Sequence, residues 1–223
     1  MKKIIFLSII IFISSPILAF SSSSFLISQL AFKNYDYSTS LKKFNYKESQ
    51  FFNENLLDKI IAAVIIEDLS TANKLANDII TKDENNQEAY IVKLVYLYLN
   101  DKFEEIEKLY NVNKNKNELI DFLFFNNNQL KDKNTISNSL IDIVTSSFSN
   151  TDQRSLNYNF LLFYTSLSKL IDQNNDRAIL IKGELFQSIK QFNAAREIFK
   201  LIQPSSQYYI EAQRSLSINY TYS

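Results

Sequence analysis

Aromatic or leucine residues that open short amphipathic segments recur along this chain at a fixed interval. Leu69 and Phe103 are 34 residues apart, as are Tyr158 and Phe192, and Tyr37 precedes Leu69 by 32. Three residues after each comes a small or apolar residue: Ser40, Ala72, Ile106, Leu161 and Ala195. Four further on stand Phe44, Ala76, Tyr110, Thr165 and Phe199. A constant interval of this size marks one supersecondary unit used repeatedly. A two-helix unit cannot bury its apolar face alone, so successive units must stack. A plain four-helix bundle would show longer helices and no such interval.

The clearest unit runs from Ala178 to Ile202. Ile179, Leu180, Gly183 and Phe186 form one helical stripe, and Phe192, Ala195, Phe199 and Ile202 form a second. The turn falls near Ile189–Gln191, and Pro204 follows the second helix, where a helix cannot continue. Gly183 is the one glycine in the protein. Inside a helix it costs about 1 kcal/mol against alanine, so its position predicts a close approach of two backbones.

These residues resemble the tetratricopeptide repeat family, whose 34-residue units are helix A–turn–helix B hairpins. In the unit 176–209, Gly183, Phe186, Phe192, Ala195 and Phe199 stand at the family's positions 8, 11, 17, 20 and 24. In 53–86, Ala63, Leu69, Ala72 and Ala76 fill positions 11, 17, 20 and 24, but Ile60 replaces the small residue at 8. In 87–120, Leu94, Leu97, Phe103, Ile106 and Tyr110 fill those slots with bulk. The first unit keeps Ala31, Tyr37, Ser40 and Phe44. The resemblance spans roughly residues 22–110 and 155–222. It implies an all-α solenoid of stacked hairpins, with a concave face lined by A helices that holds a partner's peptide or helix.

In chain order, Phe25–Lys33 and Tyr37–Tyr46 read as the first hairpin, and Leu56–Ile66 opens the second. Ile60–Ile66 is apolar on every side, so this helix should be buried. Ser70–Thr81 follows, with its cap read at Ser70/Thr71. Gln87–Leu99 and Phe103–Tyr110 make the next pair, and Asn111–Asn117 is a polar linker. From Phe103 to Tyr158 the interval is 55 residues, so 111–155 holds an irregular insertion: apolar Leu119–Phe125, a loop over Asn126–Asn134 and a helix over Ile136–Phe148. Leu156–Ile171 is a further helix. Gln207–Tyr220 reads as the first helix of another unit. Tyr208, Tyr209, Leu216, Ile218, Tyr220 and Tyr222 make a poor solvating cap for a repeat array. Either the array continues beyond residue 223, or this helix docks on a partner or on a second copy of the chain.

Met1-Lys2-Lys3 followed by apolar Ile4–Ile13, a break at Ser14-Ser15-Pro16 and small residues up to Ala19 is the pattern of a secretory signal peptide over residues 1–19. It is shorter than the ~20 residues that span a bilayer, so the membrane is met only in transit. The domain reading is therefore a leader over 1–19 and a repeat domain over 20–223, released into the periplasm.

Composition then narrows the chemistry. The 24 basic and 24 acidic side chains balance, so no bulk charge draws the chain to nucleic acid. Histidine and cysteine are absent, which with the single glycine removes thiolate nucleophiles, histidine metal sites and glycine-rich phosphate loops. Glu48, in Lys47-Glu48-Ser49-Gln50-Phe51, looks like the acid stretch of lytic transglycosylases. The glycine-rich segment those enzymes need downstream is missing, so a solvated loop is the better reading. Neither an enzyme activity nor a cofactor is expected. By the resemblance, the groove positions are Leu57, Ile61, Val64 and Ile65, then Ile91, Val95, Tyr98 and Leu99, and in the last full unit Glu184 and Gln187, beside Arg177, Leu180 and Ser188. For Val64, Ile65, Tyr98 and Leu99 two placements stay open, groove wall or core. The expected function is an envelope scaffold that binds another protein. The alternative is the accessory array of a larger envelope enzyme, acting for instance on peptidoglycan.

Overall fold

The same short turn recurs four times and sets the architecture. Tyr35, Glu67, Asp101 and Lys190 all have left-handed backbones, with φ between 56° and 67°. Each lies two residues before the opening residue of a second helix. In each turn the amide after the left-handed residue reaches back five residues: Asp36 to the Ala31 carbonyl, Asp68 to Ala63, Lys102 to Leu97 and Gln191 to Phe186. This is a helix C-terminal motif that usually carries glycine. A chain with one glycine builds it from Tyr, Glu, Asp and Lys.

The computed structural model describes residues 23–44, 56–113, 118–150 and 156–222. The expected leader over 1–19 and Glu48 lie outside the described residues, as do residues 114–117 of the linker expected over Asn111–Asn117, whose first three residues instead continue a helix to Asn113. Among the described residues the chain is mostly helical. Helix α1 covers residues 23–33, and α2 is Tyr37–Lys43, α3 Leu56–Ile65, α4 Leu69–Ile80, α5 Gln87–Leu99 and α6 Phe103–Asn113. Then follow α7 (Glu118–Phe124), strands β1 (Phe125–Asn126) and β2 (Gln129–Leu130), α8 (Lys133–Asn150), α9 (Tyr158–Ile171), α10 (Asp176–Ser188), α11 (Phe192–Phe199) and α12 (Tyr209–Thr221).

Caps fix the starts of these helices. Asp36, Asp68, Asn86, Asn157 and Asn175 each accept the backbone N–H three residues on, satisfying a donor that the first turn leaves free. For α4 the cap is therefore Asp68, two residues before the expected Ser70/Thr71. A carboxylate accepts this bond well, and the turn delivers Asp68 to the cap position. The stretch expected as a loop over Asn126–Asn134 holds an antiparallel hairpin pairing Phe125 with Leu130 and Asn126 with Gln129. Its tip is Asn127-Asn128, both with positive φ, the backbone of a primed turn that asparagine tolerates. Tyr110 stacks on Phe125 with ring centroids 3.7 Å apart, holding the hairpin against α6.

Consecutive helices pack in order, α2 on α3, α3 on α4, α4 on α5, and again from α8 through α12. First helices of adjacent hairpins also touch: α3 with α5, α8 with α10, and α10 with α12. Ile60 to Ile65 are buried, as the all-round apolar pattern of α3 requires. One further contact is not that of a one-dimensional stack. Helix α9 packs against α3 and α5, far upstream in the chain. The second half of the chain thus lies back on the first.

Gly183 explains the tightness of the last hairpin. A Cβ there would fall within 3 Å of three atoms of the Phe199 ring. The close approach read from this glycine is real, but a ring, rather than a second backbone, occupies the space. Phe199 is fully buried on that contact.

Candidate functional site

The groove expected along α3 and α5 is occupied by the chain itself. Ile61, Val64, Ile65, Ile91 and Val95 are all buried, and α9 is the helix lying across α3 and α5. Leu161 to Ser168 on α9 are buried too, so this is a packed core. For Val64 and Ile65 the core placement holds. Leu57 and Tyr98 are half-buried and Leu99 is 39% exposed. Tyr98 closes the third turn by packing edge-on against Phe103, ring centroids 5.7 Å apart.

Polar contacts rivet this seam at its edge. The Tyr37 hydroxyl donates to Asn159 Oδ1 at 2.8 Å, and burial pushes that phenol well above its ordinary range. Gln191 Nε2 donates to the Asn34 carbonyl at 3.5 Å, linking the last turn to the first. At the centre stands Glu67, the left-handed residue of the second turn. Its Oε1 accepts from Lys169 of α9 at 2.7 Å and from Lys182 of α10 at 3.0 Å. Lys182 is 1% exposed, and its Nζ also donates to the Ile65 carbonyl at 3.3 Å. Burial pulls the Lys182 ammonium below its ordinary value, with Glu67 opposing. For Glu67, burial acts to raise the carboxyl. The charges and hydrogen bonds of the two lysines outweigh it and hold the group below its ordinary value.

Neither Lys182 nor the equally buried Lys59, which donates to Ser28 Oγ (2.7 Å) and Ser40 Oγ (3.0 Å), was marked as special by the sequence reading. The signal was present in outline. Lys182 falls on the stripe Ile179–Gly183–Phe186, where an outward-facing lysine would not stand. A second buried polar set ties α8 to α9. Ser137 Oγ and Ser168 Oγ lie 2.7 Å apart and each donates to the other's carbonyl, while Asn175 Nδ2 donates to Ser137 Oγ. Small residues let these two helices approach closely.

The first helices of the second half form the other groove. Phe148 at the end of α8, Ile181, Glu184, Leu185, Gln187 and Ser188 of α10, and Ser215 of α12 line an open cleft of about 410 Å³. It brings together Glu184, Gln187 and Ser188, three of the five groove positions assigned to the last unit, with apolar neighbours that the repeat pattern does not mark; Leu180 is buried. Burial, and then the charge of Glu211, push the Glu184 carboxyl above its ordinary value. Gln187 Oε1 is buried, and among the described residues no group donates to it. A larger cleft of about 520 Å³ lies on the opposite side between Glu67, Lys169, Asp176, Leu201 and Gln203. Its lysine and Glu67 are already spent on each other. Among the described residues no group of three or more acidic side chains is placed to hold a metal ion, and no helix is long and apolar enough to cross a membrane.

No protein-family profile, curated protein or solved structure matches this chain.

Proposed function

We propose that this protein is a tetratricopeptide-like scaffold, exported to the periplasm, that holds a segment of a partner protein in the groove between α8, α10 and α12. In this reading the chain is two short stacks of helical hairpins. The first has its concave side closed by α9 and serves as a platform. The second keeps its concave side open and does the binding, without catalysis. The observation that carries the reading is the contrast in burial between equivalent positions. Ile61, Val64 and Val95 are sealed on the first side. Their counterparts Glu184 and Gln187 line an open cleft on the second, beside Ile181.

A photoreactive phenylalanine analogue at Ser188 or Ser215, in cells of the native host, should trap a partner protein, and the same probe at exposed Lys190 should not. Trapping that is equal at all three positions would refute the groove. The mature protein should begin near Phe20 and fractionate with the periplasm. Exposed Ile210 and Tyr220 on α12, with Tyr222 just after it, favour a second reading, in which this chain is the accessory array of a larger envelope enzyme. Probes at Ile210 or Tyr222 would then cross-link in place of those at 188.

A further inference from the structure

Helix α1 turns apolar side chains away from the protein. Ser28, Ala31 and Phe32 face the fold and are buried. The opposite side carries Leu26, 63% exposed, Ile27, 42%, and Leu30, 61%. Leu26 and Leu30 are one turn apart and exposed Lys33 stands three residues further on, so they share a face. The end helix of a stacked array needs a polar outer side, and this one has the reverse. The charges around it are of one sign. Residues 23–44 hold three lysines, Lys33, Lys42 and Lys43, and one acidic residue, Asp36. Asp36 is committed to the Thr39 N–H at 3.0 Å. The three lysines are exposed, and among the described residues they make no ion pair. Ser28 Oγ donates to the Ser40 carbonyl at 2.8 Å. The last turn of α2, with Lys42 and Lys43, therefore lies beside the Leu26 end of α1, while Lys33 stands at the other end. At the far end of the chain α12 also exposes Ile210 and Tyr220, but it carries exposed Glu211 and Arg214, so no single sign prevails there.

We infer that α1 is a membrane-contact helix, which lays Leu26, Ile27 and Leu30 into a bilayer surface rich in anionic phospholipid while Lys33, Lys42 and Lys43 meet the phosphates. A contiguous exposed apolar patch rimmed by polar residues marks a protein or membrane contact. Lysines without counter-charge at both ends of this patch select an anionic surface over a neutral one. A helix lying in the interface binds by its buried apolar area and by attraction to anionic lipid together. Lysine suits that position, because its stem covers apolar surface while its charge stays in water. The membrane is then met by the folded protein as well as in transit. The inference does not depend on what the cleft between α8, α10 and α12 holds.

The test attaches an environment-sensitive fluorophore to single cysteines in the protein purified from its host, at Ile27→Cys and, as a control on α12, at exposed Ser217→Cys. Vesicles of phosphatidylglycerol and phosphatidylethanolamine should shift the emission of the label at position 27 to the blue and leave that at position 217 unchanged. Vesicles of phosphatidylcholine alone should give a much weaker response, and salt should reduce the anionic one. Replacing Lys33, Lys42 and Lys43 together by glutamine should weaken binding to the anionic vesicles about a hundredfold, at roughly fivefold per lysine. Leu26→Gln with Leu30→Gln should weaken it at least roughly tenfold, and circular dichroism should show each variant as helical as the parent. A label at position 27 that stays in water with every vesicle, or that responds equally to neutral and anionic ones, would overturn the inference. A shift that grows with protein concentration in the absence of lipid would give the face to a second copy of the chain, and would overturn it as well.

Discussion

The two halves of this protein use similar hairpins to opposite ends. Helices α3 and α5 turn their apolar face onto α9 and lose it from solvent, whereas α8, α10 and α12 leave a cleft between them. The difference follows from side chains at equivalent positions. The first half offers Ile61, Val64, Ile65, Ile91 and Val95, a surface too apolar to leave open. The second offers Glu184, Gln187 and Ser188, polar side chains that line the open cleft. A concave face that is wholly aliphatic is filled by whatever helix the same chain can supply. One that mixes apolar floor with polar walls can stay free. The same hairpin geometry can thus build a sealed core or an open cleft, depending on a few residues per turn.

The largest expected effect strikes the seam that keeps the first face closed. Glu67→Ala leaves Lys182 buried with one carbonyl for company. Removing one member of a fully buried ion pair costs roughly 3–5 kcal/mol. Glu67 is about a third exposed, so about 2 kcal/mol is expected, read as a lower urea midpoint. Lys182→Met on the parent should be near neutral, because an apolar side chain needs no partner there. The pH dependence has a definite sign. The folded Glu67 carboxyl titrates below its unfolded value, so its contribution is present above about pH 4.3 and is lost as pH falls through the lower folded value. Glu67→Gln should flatten that acid loss, as seen in urea midpoints measured from pH 6 down to pH 3. If the midpoints of parent and variant fall in parallel, the seam is not electrostatic.

A smaller effect belongs to the second half alone. Gly183→Ala gains helix propensity of about 1 kcal/mol but drives a methyl into the Phe199 ring. Overpacking of this kind costs typically ~1–3 kcal/mol, so a net loss of about 1 kcal/mol is expected. Combining it with Phe199→Leu should recover part of that loss, because the ring is the obstacle. Stability above the parent would mean the hairpin is looser than its geometry.

The smallest effect is shared by both halves and tests their kinship. Lys190→Gly and Asp101→Gly place the residue that tolerates positive φ at the equivalent turn of each half. Each should stabilise by a few tenths to 1 kcal/mol, the strain released being partly offset by the entropy of a more flexible unfolded chain. Opposite signs would mean that the two turns only look alike.

Much of this was legible before the structure, for reasons that can be named. Helix positions followed from apolar spacing, which is local: Gln87–Leu99 matches residue for residue, and the turn at Ile189–Gln191 lies where its neighbours require. Gly183 announced a tight contact because a helical glycine has a cost. The left-handed backbone of the four turns was hidden, because the usual marker, glycine, is replaced by Tyr, Glu, Asp and Lys. The fold-back of α9 was hidden for a different reason. An apolar stripe states that a face is covered but not by what, so Val64 and Ile65 fitted a core or a groove equally well. The Lys169–Glu67–Lys182 cluster joins residues more than a hundred positions apart, and no spacing rule reaches that far.

The asymmetry between the sealed face of α3 and α5 and the open cleft of α8, α10 and α12 is directly measurable, because the protein has no native cysteine. Single cysteines at Val64, Ser188 and Ser215 would be timed against a thiol reagent under native conditions. Ser188→Cys and Ser215→Cys should react at rates near that of the denatured protein. Val64→Cys should react orders of magnitude more slowly, at the rate at which α9 lifts from α3. A Val64→Cys thiol that reacts as fast as the other two would show the first face to be open, and would contradict the account.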